Sequence, residues 1–168
     1  FLELQVIVIY DGSTDDTHKI VKRFGWVEYL RHDTNQGKTA ALKTGLRRAK
    51  RNYVLTQDAD LEYSPLEWQR LLKAVTKPGS QVVYGSRRLG NQPIRTAAAW
   101  FYLGGMAINY FTNWLYQAHL TDVPTGYKLF ERKLLLSLPI TTKRFEFCPE
   151  VTARLLKQGI KITEVPIS

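Results

Sequence analysis

Residues 4–17 read LQVIVIYDGSTDDT, an apolar run rich in β-branched residues that ends in a polar turn. A short run of this kind is typical of a buried strand that meets a turn. Ser13 and Asp16 then stand three residues apart, which is the spacing of a helix capping box. The stretch therefore predicts a strand over 4–10 and a helix over 14–24.

The alternation of strands and helices continues along the whole chain. Because such alternation forms parallel sheets, the sequence predicts an α/β fold with a mostly parallel central sheet flanked by helices. Ligands bind at the carboxyl ends of such strands, so we expect the polar residues there to gather along one edge of the sheet. The further predicted strands are 27–30, 53–56, 81–84, 126–130 and 161–166, and the further predicted helices are 38–50, 64–75, 132–138 and 149–158.

Size and charge narrow the class of protein. The 168 residues, 44% of them hydrophobic, predict a single domain over 1–168. The net charge of +9 fits nucleic acid, an anionic lipid surface or phosphorylated substrates. Neither a zinc-finger spacing nor an RNA-binding aromatic signature accompanies it, which argues against nucleic acid. The single cysteine, Cys148, favours a reducing compartment or the cytosolic face of a membrane.

Residues 96–118 form an uncharged, aromatic-rich stretch. On length alone it could span a bilayer, but Asn109, Thr112 and Asn113 are polar and two glycines lie in the middle. We therefore expect one helix or two, packed partly on the sheet and partly facing lipid or acceptor, with an ordinary core helix as the alternative. The tryptophans and tyrosines suit a membrane interface, where amphipathic rings settle.

Asp58-Ala59-Asp60 follows the predicted strand 53–56. Two carboxylates two residues apart at a strand end can turn toward one point, and divalent cations prefer such oxygen ligands. Glu62 could add a third oxygen, and a nucleotide diphosphate could supply the remaining ligands. The sequence therefore predicts a Mg²⁺ or Mn²⁺ site on Asp58, Asp60 and Glu62, with a solvated loop as the alternative.

The turn at 11–17 is a second candidate binding element. A carboxylate at the strand tip and the backbone N–H groups of a helix start can receive the base and ribose of a nucleotide. Ordinary helix capping by Ser13 and Asp16 is the alternative explanation for the same residues.

Taken together, these stretches resemble the family 2 glycosyltransferases, which have the nucleotide-diphosphosugar transferase (GT-A) fold. The late segments resemble the branch that contains dolichyl-phosphate mannose and glucose synthases and bacterial polyprenyl-phosphate relatives. The matching segments, in order, are Asp11 to Thr17, Asn35-Gln36-Gly37-Lys38, Asp58-Ala59-Asp60, Gly85-Ser86-Arg87, Asp122 to Phe130, Phe145-Glu146-Phe147 and Glu164-Val165-Pro166-Ile167.

The resemblance implies a role for each matching residue. Asp11 would contact the base, Asp58 would face the sugar or ribose, and Asp60 with Glu62 would hold the metal. The implied nucleotide-binding residues are Asp11, Gly12, Ser13, Lys38 and Asp58; the implied acceptor-phosphate residues are Arg87, Arg95 and Lys128; the implied catalytic residues are Asp58, Asp60, Arg87 and Lys128.

The implied activity is inverting transfer of a hexose from a UDP- or GDP-sugar to a polyprenyl (dolichyl-type) phosphate, by an enzyme peripheral to the cytosolic membrane face. A phosphate acceptor is already an anion, so no strong general base is required. That agrees with surface or packing roles for His18, His32 and His119. Three alternatives remain open: the same fold acting on a saccharide or other hydroxyl acceptor; a degenerate, non-catalytic domain that binds membranes or partner proteins; and a nucleotidyltransferase, whose Gly-rich signature would precede Phe1.

Two departures from the family pattern are visible. Tyr10 stands where the family's strand tip carries a first carboxylate. Family members also begin with a strand that ends in a Pro-Ala-Tyr-Asn-Glu-like motif, followed by a helix, and both would precede Phe1. The resemblance therefore implies a chain that is incomplete at its N-terminus.

Overall fold

The computed structural model describes residues 3–60, 63–90, 99–144 and 146–167, with the backbone alone for 99–102. Strands and helices alternate as the sequence predicts. The strands are β1 Ile7–Asp11, β2 Glu28–His32, β3 Tyr53–Thr56, β4 Val82–Ser86, β5 Lys128–Glu131 and β6 Ile162–Pro166. The helices are α1 Thr17–Val21, α2 Lys38–Arg48, α3 Trp68–Val75, α4 Ala99–Tyr116, α5 Arg132–Ser137 and α6 Phe147–Lys157, and a 3₁₀ turn, Pro65–Glu67, precedes α3.

The strands form two sheets. Strands β1 and β2 pair in parallel, and the other four lie in the order β3-β5-β4-β6. Strand β6 is parallel to β4, but β5 is antiparallel to both of its neighbours, so the α/β fold is confirmed with more antiparallel pairing than the sequence predicted. Because β3 and β4 both run opposite to β5, their carboxyl ends share an edge with the amino end of β5. The polar residues that follow β3 and β4 therefore lie along one edge of the sheet, as predicted, although the pairing is mixed.

Helices cover both faces of the four-stranded sheet. Alternate residues of a strand point to opposite faces, so neighbouring residues of β4 enter different clusters. Helices α5 and α6 cover one face and α3 covers the other. The first cluster contains Val82, Tyr84, Phe130, Leu135, Leu138, Phe147, Cys148, Val151 and Leu155, and the second contains Tyr63, Leu71, Ala74, Val75, Val83, Tyr127, Leu129 and Ile167.

The two predicted helix caps have different outcomes. Helix α1 begins at Thr17, and the Asp16 side chain makes no capping hydrogen bond, so the predicted capping box is wrong. Instead the Thr17 N–H donates to Asp15 Oδ1 at 3.1 Å. Before α3, Ser64 Oγ accepts the Leu66 N–H at 3.4 Å, which confirms the second predicted cap.

Helix α2 is fixed at both its start and its middle. The Thr39 and Ala40 N–H groups donate to the backbone carbonyls of Arg144 and Lys143. These donors of the first turn are thus satisfied within the protein. Gly45 lies against β1 so closely that an added Cβ would approach Ile9 Cδ1 to 2.7 Å. These contacts fix helix α2, and with it Lys38 at the start of the helix.

Helix α4 places polar side chains inward and apolar side chains outward. Asn109 is buried and Asn113 is partly buried, whereas large apolar residues on the other side are exposed. The exposed residues, here called the outward face, are Leu103, Met106, Tyr110, Phe111, Trp114 and Leu115. None of the helices in the described part of the chain is long and apolar enough to cross a membrane.

Candidate functional site

Asp11, at the end of β1, organises the turn that leads into α2. Its Oδ1 accepts the Gln36 N–H at 3.0 Å and its Oδ2 accepts the Gly37 N–H at 2.8 Å. His32 Nδ1 lies 2.6 Å from Oδ1, and the other ring nitrogen lies 2.9 Å from Thr44 Oγ1. Burial raises the pKa of Asp11, but the hydrogen bonds from Gln36, His32 and Gly37 outweigh it and hold the pKa below its ordinary value. Asp11 is therefore an ionised residue that fixes the loop beside it.

The turn after Asp11 requires its glycine. Gly12 has φ +70°, and an added Cβ would meet the Asn35 backbone N at 2.5 Å. The preceding Tyr10 is buried, and its hydroxyl donates to the Ser13 carbonyl. The phenol at the strand tip thus has a structural contact, and Ser13 itself stays exposed.

Lys38 and Asp58 form an ion pair at the centre of the candidate site. Lys38 Nζ donates to Asp58 Oδ2 at 2.6 Å, and both side chains are about three-quarters buried. Burial lowers the pKa of Lys38, but the hydrogen bond and charge of Asp58 outweigh it and raise the pKa above its ordinary value. The ammonium is therefore a fixed positive charge beside the carboxylate of the Asp58-Ala59-Asp60 segment.

Gly126 brings the late segment against Asp58. A Cβ at Gly126 would lie 2.2 Å from Asp58 Oδ2 and 3.5 Å from Lys38 Nζ. Thr56 Oγ1 donates to the Gly126 carbonyl at 2.6 Å, and the Gly126 N–H donates to the Tyr63 hydroxyl at 3.3 Å. The glycine is thus held from two sides where the carboxylate leaves no room for a side chain.

The predicted metal ligands are only partly described. Asp60 is exposed beside Asp58, and Glu62 lies outside the described residues. Within the described ranges, no group of three His, Cys, Asp or Glu side chains is arranged to hold a metal ion. Mg²⁺ and Mn²⁺ sites of nucleotide enzymes use one or two carboxylates together with substrate phosphates, and Asp58 and Asp60 fit that donor set.

Arg87, at the end of β4, is held by a carboxylate that the sequence did not single out. Its Nε donates to Asp122 Oδ2 at 2.8 Å and its Nη2 donates to Asp122 Oδ1 at 2.9 Å. Asp122 is 1% exposed, whereas the Arg87 side chain is 28% exposed. The guanidinium also lies over the Tyr63 ring, 5.9 Å from its centroid. Tyr63 thus links Arg87 to Gly126, which lies against Asp58. The second predicted acceptor-phosphate arginine, Arg95, lies outside the described residues.

Lys128, in β5, is placed beneath this edge. Its side chain is fully buried, its Nζ donates to the Val123 carbonyl at 3.0 Å, and it lies 3.7 Å from the centroid of the Tyr84 ring. Burial lowers the pKa of Lys128 to about 8, although the charges of Asp122 and Glu164 oppose the change. In this position the ammonium supports the backbone at Val123, and the predicted contact with an acceptor phosphate stays a prediction.

Replacement of Lys128 by methionine tests this burial. Between pH 8 and 10.5 the unfolded lysine is protonated while the folded one is neutral, so the unfolded state binds more protons. The unfolding free energy of the wild type is therefore expected to rise relative to Lys128→Met across that window, and to run parallel to it below pH 8. Urea unfolding at a series of pH values measures the difference, with the exposed Lys133→Met as baseline. A difference in unfolding free energy between the two proteins that does not change with pH would contradict burial of the Lys128 amino group.

Sequence reasoning gave no role to two side chains that arrange the site, Asp122 and Asn109. Asp122 belongs to a recognised segment, but its partner Arg87 is 35 residues away along the chain. The only sequence signal for Asn109 is that it is a polar residue within a largely apolar stretch. For His32 the sequence predicted a surface or packing role; the residue is buried, and its contacts with Asp11 and Thr44 also hold the Asp11 carboxylate in place.

Comparison with known proteins identifies the family. The family model described as glycosyl transferase family 2 matches residues 1–137. The chain belongs to glycosyltransferase family 2. The UDP-N-acetylglucosamine–dolichyl-phosphate N-acetylglucosaminyltransferase of Methanococcus voltae is 26% identical to this family 2 chain, over 96% of this chain and 73% of that protein. The polyprenol monophosphomannose synthase of Mycolicibacterium smegmatis is 25% identical, over 99% of this chain and 66% of that protein.

Solved structures show the same fold. The glucosyl-3-phosphoglycerate synthase of Mycobacterium tuberculosis, in complex with Mn²⁺, UDP-glucose and phosphoglyceric acid, superposes on the family 2 chain with a TM-score of 0.75 at 21% identity. The match covers 95% of this chain but 57% of the synthase, so this chain spans less than two-thirds of the length of the synthase. The predicted GT-A fold is confirmed.

Proposed function

We propose that this family 2 chain forms the donor and acceptor-phosphate site of a glycosyltransferase that moves a hexose from a UDP- or GDP-sugar to a polyprenyl phosphate. The observation that carries the proposal is the position of Arg87 at the same sheet edge as Asp58 and Lys38. Tyr63 connects the two groups, since it accepts the Gly126 N–H and lies under the Arg87 guanidinium.

The donor side would use the residues at the ends of β1 and β3. Asp11 holds the loop 35–37, which fixes Lys38, and Lys38 orients Asp58. A divalent cation held by Asp60 and Asp58 would neutralise the departing diphosphate. Asp58, held in place by its hydrogen bond from Lys38, would lie between that diphosphate and the sugar.

The acceptor side would use Arg87. An arginine fork matches a phosphate in both charge and geometry, and a fixed fork holds the nucleophile in one position. The two hydrogen bonds to Asp122 supply that fixed position. A phosphate monoester is already an anion, which removes the need for a general base. The buried histidine near the site, His32, is bonded to Asp11 and Thr44 instead.

The outward face of α4 would lie on the membrane that holds the lipid acceptor. Its exposed residues include a tryptophan and a tyrosine, with Trp114 71% exposed. Aromatic and aliphatic side chains of this kind settle at the boundary between headgroups and acyl chains.

A transfer assay tests the function. The full-length protein, Mn²⁺, a panel of UDP- and GDP-sugars and vesicles that contain a polyprenyl phosphate are expected to give a glycosylated lipid from one donor. Omission of the lipid phosphate, or its replacement by the polyprenol without phosphate, is expected to abolish the product. Equal transfer to the polyprenol, or transfer to free saccharides alone, would overturn the acceptor assignment.

A further inference from the structure

Helix α4 holds the backbone segment 120–123 by hydrogen bonds from its inner polar residues. Asn109 is 7% exposed; its Oδ1 accepts the Val123 N–H at 2.7 Å and its Nδ2 donates to the Thr121 carbonyl. One turn further along, Asn113 Nδ2 donates to the Leu120 carbonyl at 2.8 Å and Oδ1 accepts the Leu120 N–H at 2.9 Å. The two bonds of Asn109 thus lie on either side of Asp122.

The opposite side of the same segment is held by β6. Glu164 Oε1 accepts the Asp122 N–H at 3.0 Å, and Oε2 accepts the Thr121 N–H at 2.8 Å. The carboxylate of Asp122 then holds Arg87. The path from helix α4 to the guanidinium therefore consists of Asn109, the backbone around Asp122, and one ion pair.

A chain of buried hydrogen bonds transmits position because a displaced member leaves polar groups unpaired. Loss of a partner for a buried donor or acceptor costs about 1–3 kcal/mol. A shift of α4 relative to the sheet would therefore pull on segment 120–123 against its bonds to Glu164, and so displace Asp122, which lies between the two sets of bonds. The outward face of the same helix is exposed and apolar, so a surface that displaced α4 by binding this face would displace Arg87 as well.

We propose that Asn109 is a positioning residue that couples α4 to Arg87 through Asp122, so that a lipid surface bound by the outward face sets the place where Arg87 meets the acceptor phosphate. The inference rests on the proposed function for the identity of the acceptor. It assigns to α4 a role in acceptor recognition in addition to membrane attachment.

The test compares Asn109→Asp with the wild type in the full-length protein. An ionised aspartate still accepts the Val123 N–H, but its second oxygen faces the Thr121 carbonyl without a proton and repels it, so the segment loses one of its two bonds to residue 109. We expect kcat/KM for the polyprenyl phosphate to fall about tenfold to a hundredfold, because small misplacements at a reacting group have effects of this size. The KM for the sugar donor and the thermal stabilisation by the nucleoside diphosphate are expected to stay at the wild-type values.

A second variant and a control keep the test decisive. Asn109→Leu loses both bonds in a side chain of similar size and is expected to show a larger acceptor defect. Thr112→Ala, a polar-to-alanine change in the same helix outside this set of bonds, is expected to leave acceptor kinetics unchanged. Equal losses toward donor and acceptor, or no acceptor defect in either Asn109 variant, would overturn the coupling. A wild-type protein that does not use polyprenyl phosphate at all would instead overturn the proposed function.

Discussion

Asp60→Ala is expected to reduce sugar transfer by the full-length protein by about 10²–10³-fold, because the proposed cation at the leaving diphosphate would contribute several kcal/mol of transition-state stabilisation. Asp60 is exposed after β3, so the substitution is expected to leave the fold intact. Transfer assays over a Mn²⁺ titration measure the effect, and the residual rate is expected to lose its dependence on the metal.

Nucleotide binding gives the same experiment a second readout. A ligand at a hundred times its dissociation constant stabilises a protein by about 2.7 kcal/mol. If the nucleoside diphosphate binds through the metal, the wild type is expected to gain this stability with Mn²⁺ but not with EDTA. Asp60→Ala with Mn²⁺ is expected to behave like the wild type with EDTA. Asp33→Ala removes an exposed carboxylate after β2 instead and serves as the charge-matched control. Metal-dependent transfer that persists in Asp60→Ala would place the metal elsewhere.

Much of the fold could be predicted because its signals are local. An apolar run that ends in a polar turn marks β3 to the residue, and Ser64-Pro65 marks the start of the next helical segment. The direction of β5 had no such signal. Its pairing is decided by strands that lie far away in the sequence, and a short apolar strand has the same pattern in a parallel or an antiparallel position.

The candidate site likewise contains residues that the sequence could identify and contacts that it could not. Asp58, Lys38 and Arg87 could be recognised because each belongs to a short segment with a recognisable order. The contacts that hold them could not, since Asp122 meets Arg87 and Gly126 meets Asp58 only after the chain has folded. The polar residues of α4 had suggested a poor membrane span. In the folded protein Asn109 faces inward because it bonds to segment 120–123.

Gly126→Ala is expected to reduce transfer by about a hundredfold, because a misplacement of roughly 1 Å in an active site can have an effect of that size. The new Cβ would lie 2.2 Å from Asp58 Oδ2, and the backbone cannot move aside without loss of its bonds to Thr56 and Tyr63. The Asp58 carboxylate must therefore rotate away from Lys38. The overpacking is expected to cost about 1–3 kcal/mol of stability.

A double-mutant cycle separates the displaced carboxylate from a general loss of structure. Lys38→Met breaks the same ion pair without a clash, so the double variant is expected to lose much less activity than the product of the two single losses. Gly25→Ala, where an added Cβ meets nothing within 4 Å, is the control for a glycine-to-alanine change and is expected to keep wild-type activity. Fully independent losses in the cycle would show that Gly126 acts on the reaction by a route that does not pass through the Lys38–Asp58 pair.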